Sequence, residues 1–270
     1  MCIRDSWTGV GFRNHEKKQS FNISSIPSLL DFELVGGIRL GPYVSYFKRW
    51  ESGRMINLFS NVNIGIKNQD LQGSVGGWFF YNAHRQAAIS FNTGRGFYAI
   101  NNFDAYLNQL RVSNYILHDY GAVDHNFEIV NGLYFYTHLG YSNRQSISDF
   151  ETATIIDSLF TDEVQPLEFE DYQALTTTFR LSYTPRQKYM TEPNRKVVLG
   201  SKFPTFSIQY RKGWNNLLES DIDFDYVEFS VSQDVILGFF GNSKYNVRTV
   251  SYTHLRAHGD AMLSRMPSSA

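Results

Sequence analysis

LVGGIRLGPYVSYFKRWESGRMINLFSNVNIGI, residues 34–66, decides the fold. In its first half the even positions read Leu34, Ile38, Leu40, Val44 and Tyr46, with Gly37, Arg39, Gly41 and Ser45 between them. After a break at Glu51, Ser52 and Gly53, the residues Ile56, Leu58, Val62, Ile64 and Ile66 alternate with Asn57, Asn61, Asn63 and Gly65. Strict alternation gives an extended strand one apolar face and one polar face. Strands of soluble domains average roughly 5–6 residues, whereas a tilted strand crossing a bilayer needs about 9–11. Both halves reach the longer figure, so the stretch predicts a membrane-spanning hairpin over 34–46 and 56–66. Its apolar even positions are expected to face lipid, and Arg39, Asn57, Asn61 and Asn63 to face a polar interior.

The composition fits the same picture. The chain has 270 residues, 16% aromatic and only 19% charged. It contains no apolar run long enough for a transmembrane helix. Low charge, many rings and a mean hydropathy of −0.32 fit a transmembrane barrel, whose polar interior dilutes its hydropathy. A soluble aromatic-rich β-sandwich fits the composition too, but its strands should be shorter. A net charge of −1 gives no reason to expect nucleic acid. The two ends, 1–6 and 250–270, resemble translated sequencing-adapter reads and are set aside as artefacts. The single cysteine, Cys2, falls in the first of them, so the remainder carries no disulfide or thiol chemistry.

Residues 7–33 are weakly patterned and read as a lead-in. Domain 34–249 reads as one barrel region, with further strands at 72–81, 86–93, 127–141, 173–184, 204–212, 225–238 and 244–249. Between them, Phe103, Tyr106, Leu107 and Leu110 recur at helical spacing, Asn102 can cap the start and Gly121 the end, which predicts a helix within 102–119. A strand at 112–117 is the competing reading. Aromatic residues gather at strand ends, Tyr46, Phe47 and Trp50, Trp78 to Tyr81, and Phe239 with Phe240, as interfacial girdles would. The fold expected is all-β: an antiparallel transmembrane β-barrel, incomplete, of about nine strands with one helical insertion. Counting strands along the chain puts the acidic stretch 149–171 and the acids of 221–225 on one side, assigned to the cell exterior, with the segment 94–126 on the other.

The run PNRKVVLGSKFPTFSIQYRKG at 193–213, followed by SDIDFDYVEFSVSQDVILGFFGNSKYNV at 220–247, is more distinctive than the alternating strands. With LVGGIRLGP at 34–42, RGFYAIN at 95–101 and NGLYFY at 131–136, it resembles a family of Bacteroidota outer-membrane proteins of unknown function. Members of that family carry a carboxypeptidase-regulatory-like domain before a β-barrel. The resemblance implies an outer-membrane location and a barrel cut short after Thr249. It brings no activity and no catalytic residues.

Several residue groups invite a chemical reading. Asp221, Asp223 and Asp225 alternate, as acids at the start of a calcium loop do, but Tyr226 stands where such a loop needs Gly and Ser232 where it needs Glu. Three acids on alternate positions of an exposed segment account for the pattern without an ion. His118, Asp119, Asp124 and His125 offer acid–base or metal chemistry, yet no nucleophile motif or third ligand accompanies them. Gly94, Arg95 and Gly96 lack the lysine of a phosphate loop and read as a turn before the helix. The acids of 149–171 read as a solvated loop, with binding of a cation or basic partner as the alternative. No catalytic, cofactor-binding or metal residue is assigned, and no cofactor is expected.

The function expected is that of a non-enzymatic outer-membrane barrel in transport, export or envelope assembly, with the outer-membrane lipid bilayer as its partner. A barrel enzyme with an acidic and histidine rim site is one alternative, a soluble β-sandwich binding module the other.

Overall fold

In the computed structural model, residues 9–33, 35–99, 115–150, 168–236, 239, 241–253 and 256–257 are described. The strands are β1 (Val10–Asn14), β2 (Gln19–Ile23), β3 (Leu30–Glu33), β4 (Gly37–Leu40), β5 (Tyr43–Arg49), β6 (Met55–Gly65), β7 (Leu71–Asn82), β8 (Ala87–Ala99) and β9 (Tyr115–Val130). They continue as β10 (Leu133–Gln145), β11 (Tyr172–Tyr183), β12 (Lys188–Glu192), β13 (Arg195–Gly200), β14 (Thr205–Gly213), β15 (Ile222–Ile236), β16 (Asn242–Tyr252) and β17 (Arg256–Ala257). Apart from short 3-10 turns, the described residues hold no helix. The all-β expectation therefore stands.

One sheet runs β1-β2-β5-β6-β7-β8-β9-β10-β11-β14-β15-β16. Almost every neighbour in this order is also a neighbour in sequence, as in a meander of antiparallel hairpins. The hairpin read from 34–66 is present, since β5 and β6 pair antiparallel from Tyr43↔Asn61 to Arg49↔Met55. Its first arm is interrupted. β4 pairs Leu40 with Ile64 and β5 resumes at Tyr43 with Asn61, so one register continues across Gly41 and Pro42. Pro42 has no N–H to give the ladder. A Cβ on Gly41 would lie 1.8 Å from the Val62 carbonyl oxygen, so only glycine lets the two backbones approach here.

Other expectations need correction. No closed barrel is found: among the described residues the path ends at β1 and β16. Among the described residues there are 17 strands where nine were expected: the first arm and the run 127–141 each divide in two, β12, β13 and β17 are additional, and the lead-in folds into β1, β2 and β3. Those runs are only 4–5 residues long, too short to show a period, although Val10 pairs with Ile23 and Phe12 with Phe21. The helix over 102–119 is not seen. Its residues 102–114 lie outside the described residues, and 115–119 open β9. The run 127–141 is two strands folded at Asn131 and Gly132, with Gly132 at φ 83. Gly94, Arg95 and Gly96 form no turn but lie inside β8.

These changes alter the strand count. Neighbouring antiparallel strands alternate in direction, so along β5, β6 and β7 the connections 50–54 and 66–70 lie at opposite ends. Along β11, β14, β15 and β16 the connection 214–221 lies at the end opposite 184–204 and 237–241.

Contacts divide the chain into two compact units. The first comprises Met1–Tyr81, Ser90–Ala122 and Ser142–Tyr172; the second comprises Asn82–Ile89, Val123–Tyr141 and Gln173–Ala270. In the first, Val35, Leu117 and Ile147 are fully buried and pack with Phe97, Tyr115 and Phe150. Elsewhere in that unit the burial pattern is inverted. Ile38, Leu40, Leu58, Val62, Ile64 and Ile66 are exposed, Ile64 to 54%, while Arg39 between them is 0% exposed. The second unit repeats the inversion. Phe179, Tyr210 and Val227 form one cross-strand row and Leu181, Ile208 and Phe229 another, and all six are exposed. Between these rows run Arg180, Gln209 and Glu228, and beyond them Ser182, Ser207 and Ser230.

Candidate functional site

The alternation of residues 38–40 and 61–65 brings a polar cluster together on the non-apolar face of the first unit. Arg39 is its centre. Nη1 and Nη2 donate to the Asp70 carboxylate at 3.1 and 3.0 Å, and Nε donates to Asn63 Oδ1 at 2.9 Å. A two-pronged arginine–carboxylate contact fixes orientation as well as charge. Gln72 Nε2 donates at 2.8 Å to Asp70 Oδ2, the oxygen that also accepts from Arg39 Nη2. The Phe97 ring lies 5.8 Å from the guanidinium. Glu33 Oε2 sits 3.6 Å from Arg39 Nε and is buried without a hydrogen bond. Burial pushes the Glu33 carboxyl above its ordinary range, against the pull of Arg39.

A cavity of about 220 Å3 opens beside this cluster, lined by Glu33, Asn61, Asn63, Gln72, Arg95 and His118 among others. Its polar groups are mostly engaged. Asn61 Oδ1 accepts from the Ser74 backbone N–H at 3.0 Å and from its hydroxyl. His118 Nε2 lies 2.6 Å from Ser142 Oγ, with its ring against Tyr98 and Tyr120. The cavity can hold water or a small polar solute. Ser142, the hydroxyl paired with His118, is not among the residues that line it.

The sequence group around Gly121 does not form one site. On a strand, His118 and Asp124 share one face while Asp119 and His125 share the other. Asp119 faces Arg95 at 3.6 Å, and His125 stacks on Phe127 at 5.1 Å. Asp124 accepts from Tyr136 OH at 2.5 Å and contacts His138 Nδ1 at 2.7 Å. Sequence reading missed Tyr136, His138 and Ser142, because their partners lie on the neighbouring strand at no fixed spacing.

The acids of 221–225 also separate. Asp221 accepts from the Gln173 backbone N–H at 2.9 Å. Asp223 and Asp225 stand on one face of β15 and share the Lys212 ammonium at 3.0 and 3.1 Å, and Tyr210 OH donates to Asp225 at 2.6 Å. Lys212 offsets the repulsion of the two acids, the role a cation would have had. Among the described residues no group of His, Cys, Asp and Glu is arranged to hold a metal. Of the acidic stretch 149–171, residues 151–167 lie outside the described residues.

The run 193–213 has a clear structural role. Its first part builds the hairpin β12–β13, turning at Pro193 and Asn194. Lys196 reaches from β13 to Glu128 on β9, with both carboxylate oxygens at 2.6 Å and Asn131 Oδ1 at 2.8 Å. The Lys196 and Glu128 side chains are 9% and 4% exposed. Glu128 also accepts from the Gly132 backbone N–H, and Asn131 donates to the Gln187 carbonyl. The hairpin is thus latched to the β9–β10 turn by a buried ion pair. At its tip the Arg195 guanidinium holds the Glu192 carboxyl below the usual carboxylate range.

Residues 4–256 match the C-terminal domain of a family of unknown function, DUF5686. The chain belongs to this family. The match covers the strands, the latched hairpin and both polar clusters. No curated protein and no solved structure matches the chain.

Proposed function

We propose that this domain is an outer-membrane β-sheet protein that acts in transport, export or envelope assembly, with the lipid bilayer as its partner and no chemistry of its own. The observation that carries the reading is the inverted burial pattern: large apolar side chains are exposed in rows, and Arg39, Gln72, Glu128, Thr178 and Gln209 are buried. In water that arrangement is unfavourable, since exposed apolar area costs about 25 cal/mol per Å2. In lipid it is the expected one, because lipid-facing and interior-facing residues alternate along each spanning strand. Strand length supports the same reading. β6 has 11 residues, β7 and β11 have 12, and β9 has 16, well beyond soluble strands. The apolar positions from Ile56 to Ile66 span roughly 33 Å along the strand, or about 25 Å at a tilt near 40°, the height of a barrel's apolar band.

The paired rings fit a girdle in part. Trp50, Phe79 and Tyr81 touch in sequence at 6.2 Å spacing, with Lys48 over Trp50. Phe47 and Trp78 pair with each other and belong by alternation to the opposite face. On this proposal the gene comes from the Bacteroidota and encodes a carboxypeptidase-regulatory-like domain ahead of the present region. The test is folding of the purified chain. Refolding to a protease-resistant, β-rich state in phosphatidylcholine vesicles or detergent, and aggregation in buffer alone, is the expected result. A monodisperse, folded chain in buffer without detergent overturns the membrane reading.

A further inference from the structure

The polar face of the second unit carries two arginines that, among the described residues, form no ion pair with an acid. Arg180 on β11 is opposite Gln209 on β14, and Arg211 lies two residues further along β14, opposite Thr178. By this register the two are diagonal neighbours on one face, a separation that long side chains bridge. Each guanidinium is held in place. Arg180 donates from Nε and Nη2 to Gln209 Oε1 at 2.8 and 2.5 Å, and lies over the Tyr136 ring at 5.5 Å. Arg211 donates from Nε to Thr178 Oγ1 at 3.3 Å, and lies over the Tyr226 ring at 5.7 Å. The two anchors, Thr178 and Gln209, are 2% and 6% exposed, whereas both arginines are exposed.

The acids on this face are occupied elsewhere. Glu228 pairs with Arg248 at 3.2 Å and accepts from Tyr226 OH. Asp124 is engaged by Tyr136 and His138. Among the described residues neither Arg180 nor Arg211 has a carboxylate within ion-pair distance, and Nη1 of Arg180 and both Nη of Arg211 have no acceptor. Two pre-positioned guanidinia with spare donors and, among the described residues, no carboxylate in contact form a receptor for an oxyanion.

We propose that Arg180 and Arg211 bind the phosphoryl group of a water-soluble ligand, free phosphate or a phosphate monoester. A dianion neutralises both guanidinia, whereas a carboxylate neutralises one. The alternation that turns Phe179 and Leu181 to the apolar face turns Arg180 to the polar one, away from lipid headgroups. The inference goes beyond the membrane reading and is tested separately from it.

Titration calorimetry of the full chain in a non-ionic detergent, with inorganic phosphate, glycerol 3-phosphate, acetate and phosphatidic acid vesicles as probes, decides it. Phosphate and glycerol 3-phosphate should bind saturably, and acetate about tenfold more weakly or not at all. R180Q and R211Q should each weaken phosphate by about tenfold or more. K212Q, which removes a cation already paired on the other face, should leave binding unchanged. Far-UV circular dichroism of each variant reports whether it is folded. Absence of saturable phosphate binding, equal affinity for acetate, binding to phosphatidic acid alone, or unchanged affinity in folded R180Q and R211Q would each overturn the proposal. If phosphate binding fails while folding still requires lipid or detergent, only the anion site is lost.

Discussion

At the residue scale, burial and charge make separable predictions. Leu58 and Val62 project from the apolar face near the middle of β6. Leu58→Arg or Val62→Arg should cost about 2–4 kcal/mol of folding stability in bilayers, and Ile64→Arg, nearer the strand end, should cost less. Asn57→Arg, on the polar face, should cost under about 0.5 kcal/mol. Urea titrations of vesicle-folded protein measure all four, and equal costs on both faces would contradict the lipid-facing assignment. The Lys196–Glu128 pair is a second residue-scale case. Lys196→Met alone leaves a carboxylate buried without its cation and should destabilise by about 3–5 kcal/mol. The double change Lys196→Met with Glu128→Gln should recover most of that loss. A double variant no more stable than the single one would show that packing, not charge, holds the hairpin.

At the element scale, the joint between β4 and β5 is the sharpest feature. Gly41 lies so close to Val62 that a methyl group cannot enter without moving a backbone. Gly41→Ala should therefore cost about 1–3 kcal/mol, as overpacking does. It should loosen β4 while leaving the β5–β6 pairing intact. Hydrogen exchange at Ile66, whose N–H donates to the Ile38 carbonyl at 3.0 Å, reports on β4 directly. Undiminished protection at Ile66 in the variant would refute the close-approach argument. The element scale is also where sequence reading was least complete. The long alternating runs at 56–66, 72–81 and 204–212 match β6, β7 and β14 within a residue or two. The start of β9 shows helical spacing in its flanking residues, yet Ile116 and Leu117 are both buried in succession, and tertiary packing overrides the local pattern there.

At the scale of the whole molecule, the order of connections sets sidedness. Loops outside the cell are long in outer-membrane barrels and periplasmic turns are short. On the membrane reading proposed above, the end of the first unit with connections 66–70, 100–114 and 146–171, longer on average than the 50–54 connection at its other end, is expected to face the exterior. In a Cys2→Ser background, a cysteine at Gln69 should react with a membrane-impermeant maleimide on intact cells, and one at Ser52 should not. The reverse labelling would place the 50–54 turn outside. From the sequence by itself came the all-β class, the hairpin at 34–66 and its two faces, because side-chain alternation is a local property that one strand displays alone. The polar clusters were only partly legible. Arg39 stood out by its position between apolar residues, but Asp70, Glu128 with Lys196, and Arg180 with Arg211 have meaning only through cross-strand register. Register depends on which residues the turns at Asn131, Gly132 and Gly41 place opposite one another, and that pairing is a property of the folded sheet, which no single strand encodes.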